Sequence, residues 1–551
     1  MDKRTLLAIA LSFLIIVAWQ LLIVKPQQQT PDEIIGTEET LESTPEAIEE
    51  EDVPPVEEEP EIVTPAITPE TTPVDSPERF IEVDTPLYTA VITTHGGTFV
   101  EFLLKDYTES IDDDALPVNI IHEEAEGLSP ALSFDTNMGS FDDDVVYSVS
   151  VEEDLIVVEG DSEDDTTSLT LTYASEAFSV TKTYTFNPAT YEVDVDFDIV
   201  NLSEYKVKGE LEVSIFQYID PQKKRGLFSK YTYPPTFVLL LDDDLKKTPG
   251  SKLKPNEEET YTGDIRWFAY DTKYFIFAVA SDLLEDGEVE ADRYSNDLAS
   301  GTFLLDDLSI SSGDSYGQEF SMYLGPKESH AMENVGYDFY RAIDYGFFKF
   351  LAVPLVMLLN IFFSVVKNYG VAIIFLTIVV RLLMFPITFK SMKSMKDMQK
   401  LQPLVTELRE KYKDDKEKMN QEVMKLYQTH KVNPVGGCLP LLLQLPVFIA
   451  LYRALFVSIE LRQSPFIFWI KDLSEMDPYY ITPIVMGASY FLQQKLTPSS
   501  ADPTQQKMMM MMPIMFTIIF LNLPSGLVLY FFVSNLLSIG QQLYMNKIKK
   551  D

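Results

Sequence analysis

Beyond Tyr345 this chain becomes a series of apolar runs of bilayer length, separated by segments rich in Lys and Arg. A helix needs about 20 apolar residues to cross a bilayer core, and without water there each run must satisfy its own backbone. Candidate spans are 369–388, 435–457, 480–496, 508–521 and 525–544, and a further run over 347–366 is long enough to cross. Near the N-terminus, Asp2, Lys3 and Arg4 precede an apolar run over 5–24. A cleavable signal peptide has a shorter apolar stretch and a small-residue cleavage site. Leu21, Leu22, Ile23, Val24, Lys25 and Pro26 stand here instead. Residues 1–25 therefore read as an uncleaved transmembrane anchor with its N-terminus inside.

The two halves of the chain belong to different environments. Residues 1–345 carry 21 Lys+Arg against 73 Asp+Glu, a net of −52, whereas 346–551 carry 22 against 13, a net of +9. So acidic a half is a poor match for nucleic acid or an anionic membrane surface and reads as a solvated exterior. The only cysteine is Cys438, so no intramolecular disulfide can form and a domain outside the cytoplasm must rely on an ordinary core. Residues 26–78 hold ten prolines, seventeen Asp+Glu and no Lys or Arg, the composition of a disordered, self-repelling linker. From Arg79 the texture changes to short alternating runs, such as 178–186, 191–199 and 210–216. Period-two alternation with β-branched and aromatic residues predicts antiparallel sheet. Its persistence to Leu324 predicts a large β-sandwich within 79–345.

Topology follows from where the basic residues fall. With the N-terminus inside, 26–345 lie outside. If 347–366 crossed, the next span would carry the basic segment 390–431 outside as well. If 347–366 lies along the outer interface, the basic segments 390–431, 495–507 and 547–550 all fall inside. The expectation is an α + β chain with six spans and both termini cytoplasmic. Within 390–431, Pro403 and the polar tip Lys413, Asp414, Asp415, Lys416 predict a cytoplasmic hairpin of two antiparallel helices. Met392, Met395 and Met398 recur there at helical spacing. They can pack on the second helix or form an adaptable apolar surface.

Little in the chain suggests bond-making chemistry. Gly313-Asp-Ser315-Tyr-Gly317 matches a nucleophile elbow, which needs a strand before it and a helix after it. Strand-like runs flank it on both sides, so it reads as a hairpin turn. His95, His122, His330 and His430 are scattered without ligand spacing, so no metal site is expected. No phosphate loop or dinucleotide fingerprint occurs, and no enzymatic activity or cofactor is expected.

The residue that demands an explanation is Arg381, which lies inside an apolar run nine residues before Lys390, about 13 Å along a helix. Left in hydrocarbon it would cost at least about 2.5–3.5 kcal/mol, so it should face protein or water. Thr377 sits one turn away on the same face, and Gln444 offers polarity on the next span. No candidate span contains Asp or Glu. Arg381 is then either a snorkelling anchor or a positive charge awaiting a negative group in trans.

Asn433, Pro434, Gly436, Gly437, Cys438, Pro440, Gln444, Pro446 and Phe448 stand in a run that resembles the signature of the YidC membrane protein insertases. So do Pro465-Phe-Ile-Phe-Trp469-Ile-Lys-Asp472, Asp477-Pro-Tyr-Tyr480 and Pro524-Ser-Gly526-Leu-Val-Leu-Tyr530. Arg381, followed by Met384, Phe385 and Pro386, matches that family's groove arginine. The likeness covers about 346–547 closely, and the anchor and β-domain resemble the Gram-negative branch. One departure is Phe531, where some relatives place a second tyrosine beside Tyr530. The resemblance implies an insertase and chaperone of the inner membrane, working alone or with the Sec translocon and its SecD and SecF accessory components. It implies a hydrophilic substrate groove built from Arg381, Thr377, Gln444, Tyr530, Phe531 and Phe448. Nascent membrane proteins and lipids are the implied partners, with the ribosome or signal recognition machinery reached through 390–431 and the basic C-terminus. A secondary transporter would instead show an inverted repeat, and a sugar enzyme would show clustered carboxylates or histidines in a β-domain cleft. Fold alone is a weak warrant for the sugar enzyme.

Overall fold

The computed structural model describes residues 77–551 apart from 161, 163–164, 220–232, 255–257, 286, 296, 431, 433–438, 497–502 and 549–551. The expected anchor over 1–25, nearly all of the acidic linker and the 433–438 part of the glycine-rich motif lie outside the described residues.

Alternation becomes sheet where it was expected. Phe178–Phe186 buries every second side chain and pairs antiparallel with Glu192–Asn201, from Phe178 opposite Asn201 to Phe186 opposite Val193. These strands sit in a nine-stranded sheet, and Val207–Tyr218 sits in a six-stranded one. The inner faces of the two sheets interlock. Phe303 and Phe320 approach to 5.8 Å between ring centroids and Phe134 and Phe178 to 5.7 Å. Gly301 is needed at this contact, because a Cβ there would lie 2.7 Å from the Phe237 ring. A third, five-stranded sheet packs on the same core and contains a parallel pair, Phe80–Asp84 with Leu155–Val157. The alternation did not announce that sheet or that pairing.

One local expectation is corrected. The Gly313–Gly317 segment is a turn, but not a hairpin: Leu298–Ile310 belongs to the six-stranded sheet and Ser315–Pro326 to the nine-stranded one. The turn arches between layers because Asn201 holds it. Gly313 N donates to Asn201 O at 2.9 Å, Asn201 N to Asp314 O at 3.0 Å, and Asn201 Nδ2 to Ile310 O at 3.0 Å.

A helical region follows: α1 Lys349–Val366, α2 Tyr369–Lys400, α3 Gln402–Lys411, α4 Lys416–Thr429, α5 Leu439–Val457, α6 Ile481–Leu496, α7 Pro503–Phe520 and α8 Ser525–Ile548. Among the described residues, Lys349–Val366, Tyr369–Lys400 and Ser525–Met545 are long and apolar enough to cross a membrane, and Leu443–Val457 and Met510–Phe520 are shorter apolar helices. Helix α2 runs on past the 369–388 span and through residue 390 to Lys400. Met, Lys, Gln and Ser carry α2 on to Lys400 without a Gly or Pro after Pro386. The chain breaks only at Leu401, and Pro403 then occupies the first turn of α3, where a missing N–H costs little. The Asp415 side chain caps α4 by accepting from Lys418 N at 3.0 Å.

Helix α8 is the hub of the bundle, packing on α2, α5 and α6, while α6 also packs on α7. At Gly487 an added Cβ would collide with Thr517 Oγ1, so glycine suits the close approach of α6 and α7 there. The segment between α5 and α6 joins bundle to β-domain. Phe456 and Val457 lie in the β-domain core, Lys273 Nζ stands 4.6 Å over the Phe456 ring, and Gln463 Nε2 donates to Thr108 O at 2.7 Å. Asn368, at the start of α2, donates to Phe466 O at 3.2 Å, while Ser525, at the start of α8, donates to Glu475 O at 2.7 Å. Both helices therefore leave the same segment and run parallel.

Candidate functional site

Three helices bring polar side chains together inside this apolar bundle. Arg381, half-buried on α2, donates from Nε to Ser534 Oγ on α8 at 2.7 Å. Ser534 also stands against the Tyr530 hydroxyl one turn earlier. Tyr530, 1% exposed, accepts from Gln444 Nε2 of α5 at 2.9 Å. The result is a chain of side chains, Arg381–Ser534–Tyr530–Gln444, that crosses from α2 to α5. No carboxylate among the described residues pairs with Arg381.

The remaining expected residues divide. Thr377 is fully buried and donates to Ile373 O at 2.6 Å, so its hydroxyl serves its own helix instead of facing Arg381. Phe448 and Phe531 form an apolar wall, with ring centroids 5.1 Å apart and planes inclined at 64°. Phe531 also touches Phe520 at 4.8 Å and Tyr530 at 5.3 Å. Phenylalanine suits that aromatic cluster, where a tyrosine hydroxyl would need its own partner.

Ser534 was not among the expected residues. It belongs to a polar series on α8 at four-residue spacing, Tyr530, Ser534, Ser538 and Gln542, with Asn535 beside it. Polar groups at helical spacing in an apolar run were the available signal. Asn535 Nδ2 donates to Ser489 Oγ of α6 at 2.9 Å, and Gln541 Nε2 to Thr388 Oγ1 of α2 at 3.0 Å. The Arg381–Ser534 and Thr388–Gln541 contacts share one offset of 153 residues. They are two rungs of a single parallel seam, seven residues and about 10.5 Å apart.

Residues 80–358 match the family model for the YidC periplasmic domain, and residues 361–551 match that of the 60Kd inner membrane protein. Fold and site thus define an inner-membrane protein with a large antiparallel β-sheet periplasmic domain and a membrane-type helical region. The Membrane protein insertase YidC of Syntrophus aciditrophicus (strain SB) is 39% identical over 559 residues, covering 99% of this chain and 100% of that protein. That of Geotalea uraniireducens (strain Rf4) is 37% identical over 559 residues, covering 99% of each. A crystal structure of an active YidC insertase with its first transmembrane domain resolved covers 86% of this chain and 94% of its own, at 19% identity and a TM-score of 0.37. The chain belongs to the YidC family of membrane protein insertases.

Proposed function

We propose that this chain inserts and folds integral membrane proteins through a hydrophilic groove centred on Arg381, either independently of the Sec translocon or together with it and SecD and SecF. The observation that carries this reading is the Arg381–Ser534–Tyr530–Gln444 chain within apolar helices, which holds a positive charge with no carboxylate opposite it among the described residues. A hydrogen bond to a charged group contributes about 1.5–3 kcal/mol, so Ser534 offsets part of the cost of keeping the charge there. The remaining attraction is available to a negative group on a substrate, and it strengthens as water is excluded. The Phe448–Phe531 wall gives the following apolar segment a surface to slide along toward lipid. Transfer of that segment out of water drives the process, so no nucleotide is required.

The reading uses six spans with both termini cytoplasmic, and α1 lying along the periplasmic interface. Support for the last point comes from its two ends. Gly346, before α1, lies against Arg453, whose helix ends in the β-domain core, and Asn368, after it, binds the segment that grips Thr108. Eighteen residues span about 27 Å, enough to cross, yet both ends stay on the β-domain side. The α3–α4 hairpin and the basic C-terminus then face the cytoplasm, where a ribosome or signal recognition machinery would engage them.

The test is protease protection of substrate tails in vesicles holding the full-length protein. Arg381→Lys is expected to retain much activity, because it keeps the charge while losing the planar fork. Arg381→Glu should impair tails bearing Asp or Glu, and neutralising those tail carboxylates should restore insertion. Equal insertion of acidic and neutral tails by the wild type and Arg381→Glu would reduce the residue to an anchor.

A further inference from the structure

A guanidinium can grip a carboxylate bidentately along two edges, one using Nη1 and Nη2 and the other using Nε with one Nη. In this chain Nε already donates to Ser534, which closes the second edge. Ser534 is itself well held. It is 1% exposed, its carbonyl accepts from Ser538 Oγ at 3.0 Å, and α8 is tied to α6 through Asn535 and Ser489 at 2.9 Å. The second rung, Thr388 with Gln541, stops α2 from sliding or turning against α8 without losing a hydrogen bond. Arg381 therefore has little freedom to swing.

We propose that Ser534 is a positioning residue for substrate capture, holding Arg381 by Nε so that the guanidinium receives a substrate carboxylate end-on, through its two Nη groups. This rests on the reading of Arg381 as the capturing charge. The occupant is a single carboxylate carried on the translocated segment of a membrane protein. End-on capture at one fixed charge favours one acidic side chain at a time. A second carboxylate in the tail adds local concentration but no second grip.

The experiment compares vesicles containing the full chain as wild type, Ser534→Ala, Ser534→Thr, Thr388→Val and Arg381→Glu. Each is given a substrate whose tail carries no, one or two carboxylates. Losing a positioning hydrogen bond should lower insertion of the one-carboxylate tail by about five-fold relative to the neutral tail, with Ser534→Thr recovering most of the loss. Thr388→Val loosens the same helix seam but leaves the Nε–Ser534 bond in place, so its loss with the carboxylate tails should be smaller than that of Ser534→Ala. If Ser534→Ala affects all tails alike, or costs the carboxylate tails no more than Thr388→Val does, Ser534 is a seam residue and the proposal is overturned. If Arg381→Glu selects against acidic tails while Ser534→Ala does not, positioning fails and capture stands. If Arg381→Glu shows no selectivity, the capture reading fails, and the proposal with it.

Discussion

Lys327 Nζ lies 2.5 Å from an Asp271 carboxylate oxygen, and neither side chain is appreciably exposed. Tyr233 donates its hydroxyl to the same carboxylate at 2.8 Å, and Lys327 also donates to Thr272 O at 2.8 Å. Burial drives the Lys327 ammonium below its ordinary pKa, and Asp271 opposes that shift. Lys327 directly follows the strand Ser315–Pro326. Removing one partner of such a pair leaves a buried charge uncompensated, at about 3–5 kcal/mol. Lys327→Met is therefore expected to lower the melting temperature of the β-domain, and adding Asp271→Leu should recover most of it. Circular dichroism melts decide this. A single and a double variant melting together would mean that the stranded carboxylate is not the source of the loss.

Asp477, in the segment that grips the β-domain, gives a pH prediction. Its buried carboxylate accepts from Trp469 Nε1 at 3.0 Å, Tyr479 N at 2.9 Å, Thr482 N at 2.7 Å and Thr482 Oγ1 at 2.8 Å. Burial alone would raise its pKa, but these donors outweigh it and hold the carboxyl below its ordinary value. A depressed folded pKa contributes stability that is present above the unfolded value of about 3.9. That stability is lost as pH falls through the folded value. Trp469 emission should thus stay constant at neutral pH and change only below about pH 4. Asp477→Asn should show the altered emission at every pH. An emission change centred near pH 6 in the wild type would contradict this account.

Topology can be read with single cysteines after Cys438→Ser. A cysteine at Lys471, in the segment that grips the β-domain, is expected to react with an impermeant thiol reagent applied from the periplasm. One at Asp415, the cap of α4, should react only after the membrane is opened. Both residues are solvent-exposed. Labelling of position 415 from the periplasmic side would overturn the six-span reading and the interfacial placement of α1.

The β-domain should be dispensable for insertion but not for the stability of the bundle. The polar chain, the aromatic wall and the hairpin all follow Tyr345, so a chain lacking residues 80–320 should still insert an acidic-tailed substrate. Phe456 and Val457 would lose the core they occupy. At about 1.5–3 kcal/mol per fully buried large apolar side chain, the shortened protein should melt earlier, and polar replacements at both positions should improve its solubility. Complete loss of insertion by a shortened chain that is stably in the membrane would place the activity in the β-domain.

What the sequence determined by itself was periodicity. Alternation marks Phe178–Phe186 as a strand and apolar length marks 369–388 as a helix, because each pattern repeats within a few residues of itself. Arg381 stood out for the same local reason, a charge inside an apolar run. Partners were decided at longer range. Leu298–Ile310 and Ser315–Pro326 look like two arms of a hairpin, yet Asn201, more than a hundred residues earlier, holds their turn open as an arch between sheets. Thr377 and Ser534 are both hydroxyls on apolar helices. Only the packing of α2 on α8, 153 residues apart along the chain, leaves Thr377 bonded to its own backbone and sets Ser534 against the guanidinium. Contacts of that separation depend on how helices are brought side by side, and local spacing carries no record of it.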